Sequence, residues 1–168
     1  MKIRIFTDGS SRGNPGPGGW GAIILNENTI TELGGRENMT TNNRMELMAC
    51  IESLKSLNFN KDLDKDNNKI LITLYSDSQY VIKGMTEWIT GWQRKNWKNS
   101  QKKDVLNRDL WENMLEVSND KNIEWKYVKG HADNPGNNRC DEIATSFADN
   151  ESIKLYKGNI DSYKIKIV

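Results

Sequence analysis

The chain switches between two hydrophobic periods, and the switches mark its elements. Ile3 and Ile5 alternate with Lys2 and Arg4, which predicts a strand ending near Asp8. A glycine-rich turn over Gly9–Gly19 leads into a second strand at Trp20–Leu25 and a third at Thr29–Gly34, so the chain opens as an antiparallel meander. From Asn43 to Leu57 the period becomes helical, with Leu47, Cys50, Ile51, Leu54 and Leu57 three or four residues apart on one stripe. Residues 58–68 are polar and predict a loop. Ile70–Tyr75 is almost uniformly apolar, as in a strand covered on both faces. Helical patterns return at Gln79–Trp88 and Val105–Val117. Ile123, Trp125 and Tyr127 alternate as another strand, and Cys140–Ala148 predicts a closing helix. A meander followed by alternating helices and strands implies a mixed α/β sheet with helices on its faces. No repeat or linker divides it, so a single domain is expected over residues 1–168.

Composition narrows this little. At 168 residues and 19.3 kDa the chain can bury a real core, and 28% charged residues suit a globular protein. Net charge is +1, which names no acidic partner, but its distribution is uneven. Residues 83–109 hold seven basic side chains against three acidic ones, a net of +4 in a chain that is net −3 elsewhere. Four of the six tryptophans (Trp88, Trp92, Trp97, Trp111) lie in or beside that stretch. Core packing is the plainer reading for Trp88 and Trp111, although basic residues interleaved with aromatics also suit a nucleic-acid surface. Cys50 and Cys140 stand far apart without CxxC spacing, which argues against a disulfide framework or a zinc knuckle. No apolar run is long enough for a membrane helix, and no signal sequence is evident. A soluble, cytoplasmic protein, monomeric and without membrane contact, is expected.

Four acids fall at element boundaries: Asp8, Glu46, Asp77 and Asp141. Ligand sites of α/β sheets gather at strand ends, which makes the placement suggestive. Each acid also has a plain structural use. Asp8-Gly9 fits a turn, and Asn43-x-x-Glu46 fits a capping box. Asp77 could cap a following helix, and Asp141 could sit in the first turn of the last one. The run from Gly9 to Gly19 is not a P-loop, since no Gly-Lys-Ser/Thr follows; it reads as a hairpin connection bare enough to approach a sugar–phosphate chain. His131, the only histidine, lies in a polar loop after Gly130, where surface exposure and proton shuttling are the two readings.

Five segments, in order over roughly residues 3–148, resemble type 1 ribonucleases H. They are Phe6–Ser10 with Arg12–Gly19, Thr40–Met48, Tyr75–Tyr80, Trp88–Trp97, and Val128–His131 with Arg139–Glu142. The resemblance implies a ribonuclease H-like fold: a five-stranded mixed sheet, its first three strands antiparallel, flanked by helices. It implies an endonuclease that hydrolyses the RNA strand of RNA·DNA hybrids with little sequence preference, leaving 5′-phosphate and 3′-hydroxyl ends. Asp8, Glu46, Asp77 and Asp141 look like its metal-binding carboxylates and His131 like its general acid/base. Gly9, Asn14, Thr41, Asn42, Asn43 and Gln79 match positions that contact the hybrid. The stretch of about 84–109, with Trp88, Lys95 and Lys98, resembles the basic handle of bacterial members. Two departures stand out: a longer loop at 58–68, and Asp133 just beyond His131. The tail, 149–168, matches weakly and is expected to add at most an edge strand or a docking segment.

The implied chemistry is consistent with the residue types. Two carboxylates 4 Å apart repel by about 4 kcal/mol at an effective dielectric of 20, so four need cations. All-oxygen ligation favours Mg²⁺, with Mn²⁺ as a substitute, over zinc. Two such ions would serve an in-line attack on phosphorus. Amide side chains such as Asn14, Asn42, Asn43 and Gln79 suit a 2′-hydroxyl, which both donates and accepts. Two other readings compete: a hybrid-binding module without catalysis, and a DNA-processing nuclease of the same fold class. Loss of an acid would favour the first, and absence of the Thr40–Met48 segment or the handle the second.

Overall fold

The computed structural model describes residues 1–57, 70–130 and 133–167. Three long strands, β1 (Lys2–Ser11), β2 (Gly16–Asn26) and β3 (Thr29–Thr40), form the expected antiparallel meander. After α1 (Asn42–Lys55), β4 (Leu71–Ser76) enters parallel to β1. A helical stretch follows, made of α2 (Gln79–Lys83), a π-turn over Gly84–Trp88 and α3 (Ile89–Arg94). Then come α4 (Arg108–Ser118), β5 (Asn122–Tyr127), α5 (Pro135–Ala148) and β6 (Lys157–Asn159). The sheet order is β5-β4-β1-β2-β3-β6, which places β1 and β2 at its centre.

The alternation in β1 assigns its faces. Ile3 and Ile5, fully buried, pack with Leu47, Cys50 and Leu54 of α1 and Trp111 and Met114 of α4. Phe6 points the other way, joining Ile23 of β2 and Cys140 of α5. The α5 face has an unusual floor. A Cβ on Gly19 or Gly21 of β2 would fall 2.2 Å from the Ala144 carbonyl oxygen or 2.6 Å from that of Cys140. One on Gly34 of β3 would strike the Phe147 ring. The helix therefore rests against bare strand backbone, closer than any side chain would allow.

Several boundaries differ from the sequence reading. The sheet has six strands, not five: β6 pairs antiparallel with β3 at Thr29–Thr31. Just before it, the Tyr156 amide donates to Oε2 of the fully buried Glu32 at 2.9 Å. The last helix starts at Pro135 rather than Cys140; Asn134 caps it by accepting from the Asn137 amide (2.9 Å), and Pro135 suits its first turn. Asp141 thus lies in the second turn. The single helix expected over Gln79–Trp88 is broken by the π-turn, which begins where Gly84 yields to the Trp111 ring: a Cβ there would lie 2.0 Å from it. β3 runs on to Thr40, and the loop at 58–68 lies outside the described residues.

Candidate active site

Asp8, Glu46 and Asp77 come together: one carboxylate oxygen from each lies within 4.8 Å of the other two. The parallel pairing of β1 and β4 does half of this. Thr7 lies opposite Ser76, so Asp8 and Asp77 follow at the same level of the sheet. Gly9 does the rest. A Cβ there would sit 2.3 Å from the Glu46 amide nitrogen and 2.4 Å from the Met45 carbonyl carbon, so only a bare residue lets α1 approach β1 this closely. Gly9→Ala is accordingly expected to push α1 outward, costing about 2–4 kcal/mol of stability. It should also lower activity more than the same change at Gly91, where a Cβ meets nothing within 4 Å. Denaturant melts and cleavage rates of the two variants check this.

The plain structural uses of these acids are filled by other residues. Asp8 sits within β1, opposite Gly21, and not in a turn. α1 is capped by Thr41, whose Oγ1 accepts from the Arg44 amide at 3.3 Å, while Asn43 lies inside the helix. α2 is capped by Ser78, which accepts from the Val81 amide at 3.2 Å. Asn134 caps α5. The acids are left to one another.

Their electrostatics follow from burial. Asp8 is 5% and Glu46 4% exposed. Burial, then the charge of Asp77 with a further contribution from Asp141, pushes Asp8 up to about 7, although the Gly9 amide donates to its Oδ1 at 2.9 Å. Burial and then the charge of Asp8 hold Glu46 well above the usual carboxylate range. Glu46 Oε2 is buried with no hydrogen-bond partner. A partnerless carboxylate oxygen facing two other acids is costly unless a proton or a cation supplies the missing charge. A hard, oxygen-seeking divalent cation fits this donor set.

Asp141 stands apart from the three. It is exposed on α5, outside the tight group yet near enough for its charge to act on Asp8. His131 lies outside the described residues. Two neighbours of Asp77 escaped the sequence reading. Buried Asn137 donates from Nδ2 to Asp77 Oδ2 at 3.3 Å and leaves its own Oδ1 without a partner. At Gly130 a Cβ would come within 3.1 Å of the same carboxylate oxygen. The Asn134-Pro135 helix start, which puts Asn137 one turn before Asp141, was the available signal.

The RNase H family model matches residues 1–149. The chain belongs to the RNase H family. A ribonuclease H of Geotalea uraniireducens is 48% identical over 158 residues, covering 94% of this chain and 98% of that one. LC9-RNase H1, described as a type 1 RNase H with the type 2 active-site motif, superposes with a TM-score of 0.76 at 24% identity, over 95% of this chain and 79% of that one. LC11-RNase H1, solved in complex with an RNA/DNA hybrid, has a TM-score of 0.60 at 25% identity, over 88% of this chain and 97% of that one.

Around the acids, this RNase H exposes the side chains matched to hybrid contact. Asn14 lies in the β1–β2 turn, Asn42 and Asn43 in the first turn of α1, and Gln79 at the start of α2, all exposed. Thr41 is engaged in its cap and Gly9 in its bond to Asp8. The basic stretch is built on a chain of aromatic contacts: Trp88–Trp92, Trp92–Trp97 and Trp92–Trp111 ring centroids are 5.8, 6.3 and 5.2 Å apart. Trp111 and Trp97 are buried. Trp88 is 37% exposed and so lies outside the buried core, its ring packed at the surface against Tyr80 and Trp92. Trp88, Trp92, Lys95 and Lys98 line an open groove of about 490 Å³, with Lys98 paired to Asp104. Arg44 of α1 ties the end of this stretch to the acid-bearing helix through a bidentate pair with Asp109 (2.8 and 3.0 Å). Among the described residues, no helix is long and apolar enough to cross a membrane.

Proposed function

We propose that this chain hydrolyses phosphodiester bonds within the RNA strand of an RNA·DNA hybrid, leaving 5′-phosphate and 3′-hydroxyl ends. One observation carries the reading: three acids converge, and one of the Glu46 oxygens among them is buried without a hydrogen-bond partner. Asp8, Glu46, Asp77 and Asp141 would hold two Mg²⁺ ions, with Mn²⁺ as a substitute. Bound there, the ions supply the Lewis acidity that activates a water and stabilises the leaving 3′ oxygen. The Gly9 amide holds Asp8 in place, and Asn137 orients Asp77. His131 assists proton movement at the departing product. The Asn14, Asn42, Asn43 and Gln79 side chains and the Gly9 backbone take the hybrid across its minor groove, where 2′-hydroxyls mark the RNA strand. Such contacts carry no base code, and little sequence preference follows. The hybrid-bound relative LC11-RNase H1 supports the substrate class.

We read residues 1–168 as one catalytic unit, monomeric and cytoplasmic, with a core to about 148, a handle over 84–109 and a tail over 149–168. Both cysteines are buried free thiols, in keeping with a reducing compartment. The decisive experiment compares labelled hybrid, DNA duplex and RNA duplex with Mg²⁺ and with chelator. Cleavage confined to the RNA of the hybrid, and abolished by chelator, is expected; cleavage of DNA duplex, or none at all, would overturn the reading.

The handle gives a separate prediction. Replacing Lys95, Lys98, Lys102 and Lys103 by alanine should weaken hybrid binding and make the log-affinity against log-salt slope shallower by about 1–2 units. Lys98 contributes least, since Asp104 already neutralises it. Turnover at saturating hybrid should stay near wild type. An unchanged slope with an intact melt would reduce these lysines to ordinary surface residues.

A further inference from the structure

Asp141 is the least secured of the four acids. It is exposed, and among the described residues no hydrogen bond holds its carboxylate. Its place therefore depends on the rotation of α5. Beneath the helix, Ile143 and Phe147 fill the spaces over Gly21 and Gly34, and Cys140 Sγ donates to the Phe6 carbonyl at 3.2 Å. That packing seats α5 on the sheet, and a polar anchor adds to it.

On the opposite face of the helix, Arg139 reaches β3. Its Nε and Nη2 donate to Glu32 Oε1 and Oε2 at 2.8 and 2.9 Å, and Nη2 also donates to the Lys154 carbonyl at 3.1 Å. The same carboxylate accepts from the Tyr163 hydroxyl at 2.6 Å and from the Tyr156 amide at 2.9 Å. Glu32 has no exposed side-chain surface and Arg139 only 14%. At about 100° per residue, Arg139 and Asp141 point nearly opposite ways, whereas Asn137 and Asp141, four apart, share a face. That face is the one whose Asn137 touches Asp77.

We infer that Glu32, Arg139 and Tyr163 form a positioning clamp, through which the C-terminal tail adds to the packing that sets the rotation of α5 and so the station of Asp141 beside the other three acids. The inference rests on the metal-holding role proposed above. None of the three residues touches the reacting groups; they act through the helix. The tail, expected to add at most an edge strand or a docking segment, becomes part of what the metal site needs.

The test titrates Mn²⁺ calorimetrically into hybrid-free full-length protein, well below each variant's melting temperature. Glu32→Gln keeps the shape and removes the charge; Tyr163→Phe removes one hydroxyl and stands in should Glu32→Gln fail to fold. Removing an outer partner of a metal ligand typically costs 10–100-fold, and one step further out the expected loss of Mn²⁺ affinity is about 3- to 10-fold. Combined with Asp141→Asn, either change should cost nothing beyond Asp141→Asn alone, because both act through the same carboxylate. A merely structural role would lower the melting temperature with Mn²⁺ affinity unchanged, or would give losses that multiply with Asp141→Asn; either result overturns the clamp. Wild-type protein that takes up no Mn²⁺ would overturn the metal-site reading and the clamp with it. Wild-type uptake with unaltered variants overturns the clamp alone.

Discussion

Replacing Glu46 by glutamine is expected to lower hybrid cleavage by at least about 10³-fold, well beyond the loss seen on removing an outer partner of a metal ligand, while leaving the fold intact. Glu46 is the most enclosed of the acids, delivered by the close approach of α1 to Gly9, and its Oε2 has no other partner. An amide of the same shape fills the space but offers a neutral oxygen, so cation binding weakens while packing survives. In chelator the variant should melt no lower than wild type, because the amide needs neither a proton nor a cation to sit beside Asp8 and Asp77. Asp77→Asn should behave alike in cleavage. Melting and cleavage have to be measured on the same preparations: wild-type turnover in either variant would refute the carboxylate assignment, and a collapsed melt would assign these residues to the fold instead.

The second large effect is on stability against pH. Asp8 has its pKa pushed up to about 7 from an ordinary 3.8, first by burial and then by the charge of Asp77, and Glu46 shifts the same way. Between those values the folded protein binds more protons than the unfolded chain, so stability falls as pH rises through the window and is lost by about pH 7. In chelator, the melting temperature should therefore drop by several degrees between about pH 5 and pH 8, and saturating Mg²⁺ should cancel much of the drop by replacing the proton. Mg²⁺ affinity should rise over the same range. The paired carboxylates do not blur this window. Asp104, Asp109 and Asp149 have their pKa values lowered by Lys98, Arg44 and Arg12, and Glu32 keeps a lowered one because Arg139 and Tyr163 outweigh its burial; these groups act on the acid side. A melting temperature flat or rising from pH 5 to 8 in chelator would contradict the shift.

Much of the fold was legible because period maps directly onto buried faces. The alternation of Ile3 and Ile5 and the α1 stripe of Leu47, Cys50, Ile51 and Leu54 are all buried where expected. What period cannot carry was lost. The tail was expected to add at most an edge strand, and β6 is one, but three residues with glycine at the centre carry no period that could place it. α5 starts five residues before the apolar pattern at Cys140 shows it, because its first turn is polar and is marked only by Asn134 and Pro135. The π-turn interrupts its helix through backbone hydrogen bonding that no hydrophobic pattern records. The candidate site divides likewise. Each acid had an ordinary local explanation, and spacing could not choose; the resemblance supplied the convergence. Asn137 and Gly130 went unseen because their significance lies wholly in where Asp77 is.

The glycine floor under α5 also shapes how that helix can move. Most helices ride on a layer of side chains that can re-pack and let the helix lift slightly while its ends stay attached. Here Gly19, Gly21 and Gly34 leave no such layer, and the Ala144 and Cys140 carbonyls lie against strand backbone. Lifting α5 even a little would open a gap along the strand with nothing to fill it. The backbone amides in the middle of this helix should then have no easy partial opening, and exchange with solvent deuterium only when the central strands open with them.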